Sequence, residues 1–219
     1  LNGGSSHDVY VFDTDTQLDA DSIIDIAGID WLTFAESTND VTVNLGLTTA
    51  QIINANLTLT LNSGTSIEKI TGGSGNDTLT GNTLGNTLDG RGGSDLLDGD
   101  SGNDIYEFDT RTQLDADSIT DSAGIDRLSF TSSTNDVSVN LSVTTSQIVN
   151  SNLSLTLVSA VSIEDIYGGY GNDTLIGNTL NNLLDGGAGN DWLDGADGSD
   201  ILQGRAGDDT LIGGGGADK

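Results

Sequence analysis

The chain has 219 residues, enough for one or two domains. Its 6 basic and 34 acidic residues give a formal net charge of −28, which argues against nucleic acid and anionic membrane surfaces as partners because both would repel the chain. The absence of Cys excludes disulfides and thiolate metal sites. No apolar run approaches the ~20 residues that span a bilayer, so we expect no membrane insertion.

The chain is a tandem duplication. Residues 5–99 align with residues 101–195 at a constant offset of 96 without a gap, and about two-thirds of the aligned positions are identical. We therefore expect two units, 1–98 and 99–219. Because the chain has no Met and both ends lie inside a repeat, we also expect it to be a segment of a longer protein.

A shorter repeat of nine residues lies inside each unit. After one copy at Gly3, a run from Gly72 reads GGSGNDTLT, GNTLGNTLD, GRGGSDLLD and GDSGNDIYE, and a matching run begins at Gly168. The pattern is G-G-x-G-x-D-x-U-x, where U is a large apolar residue. The first six positions predict a glycine-rich turn and the last three a short strand with one inward side chain. Repeated in register, they predict an all-β fold, a parallel β-roll or β-helix with aspartates along its turn edges.

The segments between the runs keep much of the same phase. The sixth repeat position is occupied by Asp21, Asp30 and Glu68 in the first copy and by Asp117, Asp126 and Glu164 in the second. Only residues 34–62 and 130–158 leave the phase, and their alternating patterns, DVTVNL and LTLTL in the first copy, predict short extra strands. We expect Tyr10, Tyr106, Phe12 and Phe108 to fill the roll where the phase breaks.

The acidic turns need a cation. Stacked turns bring aspartates about 5 Å apart, where like charges repel by roughly 3 kcal/mol at an effective dielectric constant of 20. A hard divalent cation between the turns reverses this effect, and Ca²⁺ takes six to eight oxygen ligands in flexible geometry. Because binding free energy then becomes folding free energy, we expect calcium to be structural.

The nonapeptide resembles the RTX (repeats-in-toxin) calcium-binding repeat. The resemblance implies that two nonapeptides form one turn of the roll, so that each repeat stacks on the second repeat after it, and that several Ca²⁺ ions lie between stacked turns. The implied carboxylate pairs are Asp77 with Asp95, Asp173 with Asp191, Asp191 with Asp209, and Asp200 with Asp218. The implied ligand set also includes Asp104 and carbonyl donors near Gly72, Ser74, Gly93, Gly168, Tyr170 and Gly189.

Two repeats depart from this pattern. Leu84 and Leu180 stand where the fourth position takes Gly, and Asn86 and Asn182 stand where the sixth takes Asp. We expect these turns to bind metal poorly, with stacks of Glu68–Asn86–Asp104 and Glu164–Asn182–Asp200. Asp8–Asp30 and Asp104–Asp126 are further candidate pairs, across four-residue interruptions of the phase.

The stretch NDVTVNL…LTLTLNSGTSIEKITGGSGNDTLTGN resembles the region leading into the roll of serralysin-type secreted proteases, and also long bacterial surface proteins with calcium-binding blocks. The zinc motif H-E-x-x-H is absent, and one His without Cys gives no nucleophile–base pair, so we expect no enzyme activity. The predicted function is a calcium-dependent structural module of a long secreted or cell-surface bacterial protein. The alternative is the C-terminal folding and type I secretion tail of an exported enzyme or toxin. Besides calcium, neighbouring repeat units or other copies of the chain are candidate partners.

Overall fold

The computed structural model describes residues 1–219, which form strands and turns without helices. It therefore contains no helix that is long and apolar enough to cross a bilayer. The strands in the first half are β1 Asn2–Gly4, β2 Val9–Val11, β3 Asp19–Asp25, β4 Trp31–Thr33, β5 Thr42–Asn44, β6 Gln51–Ile52, β7 Leu57–Leu61, β8 Lys69–Thr71, β9 Thr78–Thr80, β10 Thr87–Asp89, β11 Leu96–Asp98 and β12 Ile105–Glu107. Those in the second half are β13 Asp115–Thr120, β14 Arg127–Ser129, β15 Ser138–Asn140, β16 Gln147–Ile148, β17 Leu153–Leu157, β18 Asp165–Tyr167, β19 Thr174–Ile176, β20 Leu183–Asp185, β21 Trp192–Asp194, β22 Ile201–Gln203 and β23 Thr210–Ile212.

One face of the molecule is a single parallel sheet of nine strands, in the order β2-β4-β8-β10-β12-β14-β18-β20-β22. The eighth residue of each nonapeptide lies at the centre of its strand and pairs in register with its neighbours, as Ile70, Leu88 and Tyr106 do. These three side chains are fully buried. The predicted parallel β-roll, with one inward residue per repeat, is confirmed.

The opposite face consists of three separate sheets. Their strand orders are β1-β3-β7-β6, then β16-β17-β13-β11-β9-β5, and finally β15-β19-β21-β23. Every pairing is parallel except β6 with β7 and β16 with β17. The chain thus alternates between the two faces, one short strand at a time, except that β5–β7 and β15–β17 all lie on the divided face.

The two insertions explain why this face is divided. In the first insertion, β7 pairs with β3 of the preceding coil, whereas β5 pairs with β9 of the following coil. Strand β6 runs antiparallel to β7 and occupies its free edge. The second insertion repeats this arrangement with β15, β16 and β17. The extra strands predicted at 34–62 and 130–158 are therefore present, and they belong to the coil itself.

A single hydrophobic core of 36 buried residues fills the space between the two faces. Phe12 stacks on Phe34 with ring centroids 5.9 Å apart, and Phe108 stacks on Phe130 at 5.4 Å. These pairs lie at the breaks in the nine-residue phase, because aromatic rings fill the wider coil there.

The sheets continue across the middle of the chain. Strand β11 of the first copy pairs with β13 of the second, and β10 pairs with β12. The units 1–98 and 99–219 thus share hydrogen-bonded sheets, and their division into separate domains stays a prediction.

Candidate metal sites

The sixth-position aspartates form hydrogen-bonded ladders along the turn edges. Asp77 donates its backbone amide to Oδ1 of Asp95 at 2.7 Å, and Asp95 donates its amide to Oδ1 of Asp117 at 2.9 Å. In the second copy Asp173 donates to Asp191 at 2.8 Å, and Asp191 to Asp209 at 3.0 Å. The structure thus brings together the carboxylates that the repeat pattern pairs, and it adds Asp117, which the sequence had already placed at the sixth position.

The opposite edge carries the mixed ladder. Asn86 donates its amide to Oδ1 of Asp104 at 2.6 Å and its Nδ2 to the Glu68 carbonyl at 3.4 Å. In the second copy Asn182 donates its amide to Oδ1 of Asp200 at 2.8 Å. Asp200 in turn donates its amide to Oδ1 of Asp218 at 3.1 Å. The stacks expected around both asparagines are therefore present.

Stacking also continues across the four-residue interruptions. Asp8 donates its amide to Oδ1 of Asp30 at 2.8 Å, and Asp104 donates its amide to Oδ1 of Asp126 at 2.7 Å. Each interruption lengthens the spacing of the paired residues from 18 to 22 positions without breaking the ladder.

The turns have two conformations, which differ at the second repeat position. In one kind, the amides of Gly73 and Gly169 donate to Oδ2 of Asp77 and Asp173 at 2.7 Å and 2.8 Å. Both oxygens of those carboxylates therefore have a hydrogen-bond donor, because the amides of Val41 and Val137 donate to Oδ1 of Asp77 and Asp173.

In the other kind of turn the second residue has a left-handed backbone, as at Arg91 (φ 66°), Asp100 (φ 70°) and Ala196 (φ 68°). Its amide points away from the turn and donates to the aspartate two residues earlier, as Arg91 does to Asp89 at 3.0 Å. The sixth-position carboxylate then has no partner for its second oxygen. The buried Oδ2 atoms without a hydrogen bond on these turns belong to Asp95, Asp104, Asp191 and Asp200.

These carboxylates are costly to ionise without a cation. Burial, with the nearby charges of Asp117 and Asp77, raises the pKa of Asp95 to about 8. Burial is also the main cause that raises the pKa of Asp104, Asp117 and Asp126 to about 7. Each raised pKa means that the fold favours the neutral acid over the ionised carboxylate. A bound cation would remove this preference.

Backbone carbonyls lie beside the free carboxylate oxygens. A Cβ on Gly195 would lie 2.6 Å from the Gly213 carbonyl oxygen and closer still to Asp200 Oδ2. Gly72 has the same relation to the Gly90 carbonyl oxygen, at 2.7 Å, and to Asp77 Oδ2, which there already accepts the Gly73 amide. The glycine at the first repeat position thus leaves a space that is bordered by oxygens of two successive coils.

Gly90 and Gly213 were not among the carbonyl donors inferred from the sequence. The amides of two that were, Ser74 and Tyr170, donate to Ser37 and Ser133 at 3.0 Å and 2.9 Å. Gly93 and Gly189, also inferred as donors, have positive φ angles of 115° and 129°. Metal binding by the six predicted carbonyls stays a prediction, as does metal binding by the eight predicted aspartates. The carbonyls are those of Gly72, Ser74, Gly93, Gly168, Tyr170 and Gly189.

The chemistry of the edges fits calcium. The atoms available as metal ligands along these edges are carboxylate and carbonyl oxygens, and Ca²⁺ binds such oxygens in sets of six to eight. No Cys is present, and the single His, His7, accepts a hydrogen bond from the Ile29 amide at 2.7 Å through Nδ1. Asp95, Asp104, Asp191 and Asp200 would hold ions through their unpartnered oxygens.

Sequence reasoning missed two further aspartates at these edges. Asp25 lies with Asp8 and Asp30, and Asp121 lies with Asp104 and Asp126, so that one oxygen of each residue is within 4.8 Å of the other two. The sequence feature that could have identified Asp25 and Asp121 is an Asp at the first repeat position, where the pattern takes Gly.

Comparison with known families agrees with this geometry. The model of the RTX calcium-binding nonapeptide repeat matches four segments, residues 63–83, 71–106, 167–202 and 194–219. These segments contain both runs of stacked turns, whereas residues 1–62 and 107–166 lie outside the matches. No curated protein matches the chain. The chain carries RTX calcium-binding nonapeptide repeats.

Proposed function

We propose that the chain is a non-catalytic structural module that folds when Ca²⁺ binds between the stacked turns of its β-roll. The observation that carries the proposal is the set of buried, unpartnered Oδ2 atoms on Asp95, Asp104, Asp191 and Asp200. A buried ionised carboxylate without a partner strongly destabilises a fold, so a folded chain requires either protons or cations at these positions.

Calcium would act as the link between successive coils. One ion between two turns neutralises both carboxylates and binds the carbonyl oxygens beside them, and it thereby replaces repulsion with attraction. Each coil buries little more than one large apolar side chain per strand, as Leu79, Leu88 and Leu97 illustrate. The ions would therefore supply a substantial part of the free energy that holds the coils together.

We further propose that the module works outside the cell, in a long secreted or cell-surface bacterial protein. The duplication at an offset of 96 residues and the sheets shared by both copies support an array whose length matters. Extracellular calcium modules bind with dissociation constants of about 10⁻⁴–10⁻³ M, so such a module would stay unfolded at cytosolic calcium levels. Additional blocks of the same kind in the parent sequence would support the array, whereas an attached catalytic domain would support the secretion-tail alternative.

The test is far-UV circular dichroism of the full chain during a calcium titration that starts in EDTA. We expect β-structure to appear cooperatively between about 1 µM and 1 mM Ca²⁺. Mg²⁺ at equal concentration should not replace calcium, because it requires near-ideal octahedral geometry and gives up its water reluctantly. A spectrum that is fully folded in EDTA and unchanged by calcium would contradict the proposal.

A further inference from the structure

The two interruptions of the nonapeptide phase each gather three aspartates instead of two. Asp104 and Asp126 come from sixth positions, whereas Asp121 comes from the first position of the repeat that contains Asp126. One oxygen of each lies within 4.8 Å of the other two. The first copy has the same group 96 residues earlier, as described above. The nonapeptide pattern does not account for the first-position aspartate.

A glycine opens the space that these carboxylates face. A Cβ on Gly99 would lie 2.6 Å from Asp121 Oδ2 and 2.7 Å from the Tyr106 hydroxyl, and closer still to Asp104 Oδ2. In the first copy, a Cβ on Gly3 would lie 2.6 Å from Oδ2 of both Asp25 and Asp8. Two of the three carboxylates of each group and the tyrosine hydroxyl therefore converge on one position without a side chain.

A buried oxygen without a partner points into each group. Asp104 has no exposed surface, and its Oδ2 makes no hydrogen bond. In the first copy, Oδ2 of Asp30, also without exposed surface, and Oδ2 of Asp8 both lack a partner. Hydrogen bonding within the chain therefore does not explain why these carboxylates are buried together.

A tyrosine positions the additional carboxylate. The Tyr106 hydroxyl accepts a hydrogen bond from the Gly99 amide at 2.8 Å and donates to Asp121 Oδ2 at 2.5 Å. Tyr10 donates to Asp25 Oδ2 in the first copy. In each copy the phenol holds the carboxylate in place through this hydrogen bond, and it carries no positive charge that would neutralise the carboxylate.

No basic side chain compensates the charge of either group. The chain makes four ion pairs, and none includes one of the six clustered aspartates. Arg127, which follows Asp126 directly, instead pairs with Asp165 at 3.3 Å and lies over the Tyr167 ring at 4.0 Å from its centroid. Because no basic side chain neutralises these carboxylates, the fold requires either protons or an external cation at them.

We propose that each interruption holds one Ca²⁺ ion in a three-carboxylate site, formed by Asp104, Asp121 and Asp126 in the second copy and by Asp8, Asp25 and Asp30 in the first. This inference rests on the proposed function, since Asp104 is already one of its ligands. It adds a third carboxylate to the ion at Asp104 and assigns one further ion to the equivalent group in the first copy. The third carboxylate adds negative charge to the ligand set, and charge count is one of the factors that set calcium affinity. These two sites bind calcium more tightly than the nonapeptide turns.

The direct test uses the intact chain crystallised with Tb³⁺, an oxygen-seeking ion whose anomalous scattering locates each site. The expected result is one peak inside each aspartate group, in addition to peaks along the ladders. Peaks at the turns of Asp95, Asp191 and Asp200 with none inside either group would overturn this inference and leave the proposed function standing. Absence of bound Tb³⁺ at every turn would overturn both.

Matched variants test the affinity in solution. Asp121→Gly and Asp25→Gly restore the glycine of the nonapeptide pattern and remove only the third carboxylate. Calorimetric calcium titration of the double variant should lose the two tightest sites and retain the weaker ones. Glu36→Gln is the control. Glu36 is exposed and follows strand β4, whereas Asp30 precedes that strand, so Glu36 is not part of the aspartate group. Two tight sites retained in the double variant would overturn the inference, and the Tb³⁺ positions decide it if that variant does not fold.

Discussion

Asp95 accepts the backbone amide of Asp77 through Oδ1 at 2.7 Å, while its own Oδ2 is buried without a partner. One carboxylate thus joins two coils of the roll and still presents an oxygen to a cation. The backbone of Arg91 creates this division, because its left-handed conformation turns away the amide that would otherwise bind Oδ2.

Asp95→Asn should separate the two roles of this carboxylate. The amide oxygen can still accept the Asp77 hydrogen bond, just as the Asn86 side-chain oxygen accepts the Asn82 amide within its own turn, but the charge is lost. We expect the calcium-free chain to become more stable and the calcium affinity of this turn to fall by about tenfold, or about 1.4 kcal/mol. Thermal unfolding in EDTA and calorimetric titration measure the two effects. Asp208→Asn, at an exposed position, should change neither, and equal effects in both variants would refute this assignment.

The stability of the calcium-free chain should depend on pH with a defined sign. An unfolded Asp has a pKa of about 3.9, whereas the pKa of Asp95 in the fold is about 8. Between these values the folded chain binds more protons, so the free energy of unfolding falls as pH rises. We expect more β-structure in EDTA at pH 5 than at pH 8, measured by circular dichroism. The difference should persist in high salt, which screens exposed charges more than buried ones.

Ala196→Gly should stabilise the protein. Ala196 has φ 68°, a conformation that L-residues adopt at a cost and that Gly adopts freely. We expect a gain of about 1 kcal/mol in the free energy of unfolding, measured by denaturant titration in calcium. Ala188→Gly is the control at a position with ordinary φ, and it should destabilise the fold by about 0.5–1 kcal/mol through chain entropy. Equal effects of the two changes would argue against strain at Ala196.

Two adjacent leucines on strand β11 test the core. Leu97 is fully buried, whereas Leu96 is 43% exposed. Leu97→Ala should lower the free energy of unfolding by roughly 2–5 kcal/mol, because it leaves a cavity between the two faces. Leu96→Ala should change it by about 0.5 kcal/mol or less. Thermal unfolding in saturating calcium measures both, and a reversed order would contradict the register of the coil.

Much of this fold was predictable, because a nine-residue phase specifies a strand and an inward residue together. Leu79 and Leu88 could be assigned to the core before any coordinates were known, and so could the stack of Asn86 on Asp104. The same reasoning found the insertion strands from their period of two. These predictions rest on local patterns that each repeat contains in full.

The features that were not predicted depend on relations between coils. A left-handed backbone at Arg91 or Ala196 has no signal in the residue type, since neither side chain favours it. The pairing of β5 with β9 and of β7 with β3 depends on which coil each strand contacts. Asp121 was overlooked because it replaces a glycine, and its contacts with Asp104 become visible only when the coils are stacked.

Because one face is a continuous sheet and the other is divided into three sheets, the module should bend more easily in one direction than in the others. The nine hydrogen-bonded strands of the continuous sheet resist elongation of that face. The other side is interrupted at the β6–β7 and β16–β17 hairpins, where adjacent sheets share no ladder. Under a bending force the module should open at these two boundaries between sheets. An array of such modules would therefore bend in one plane and remain rigid in the other.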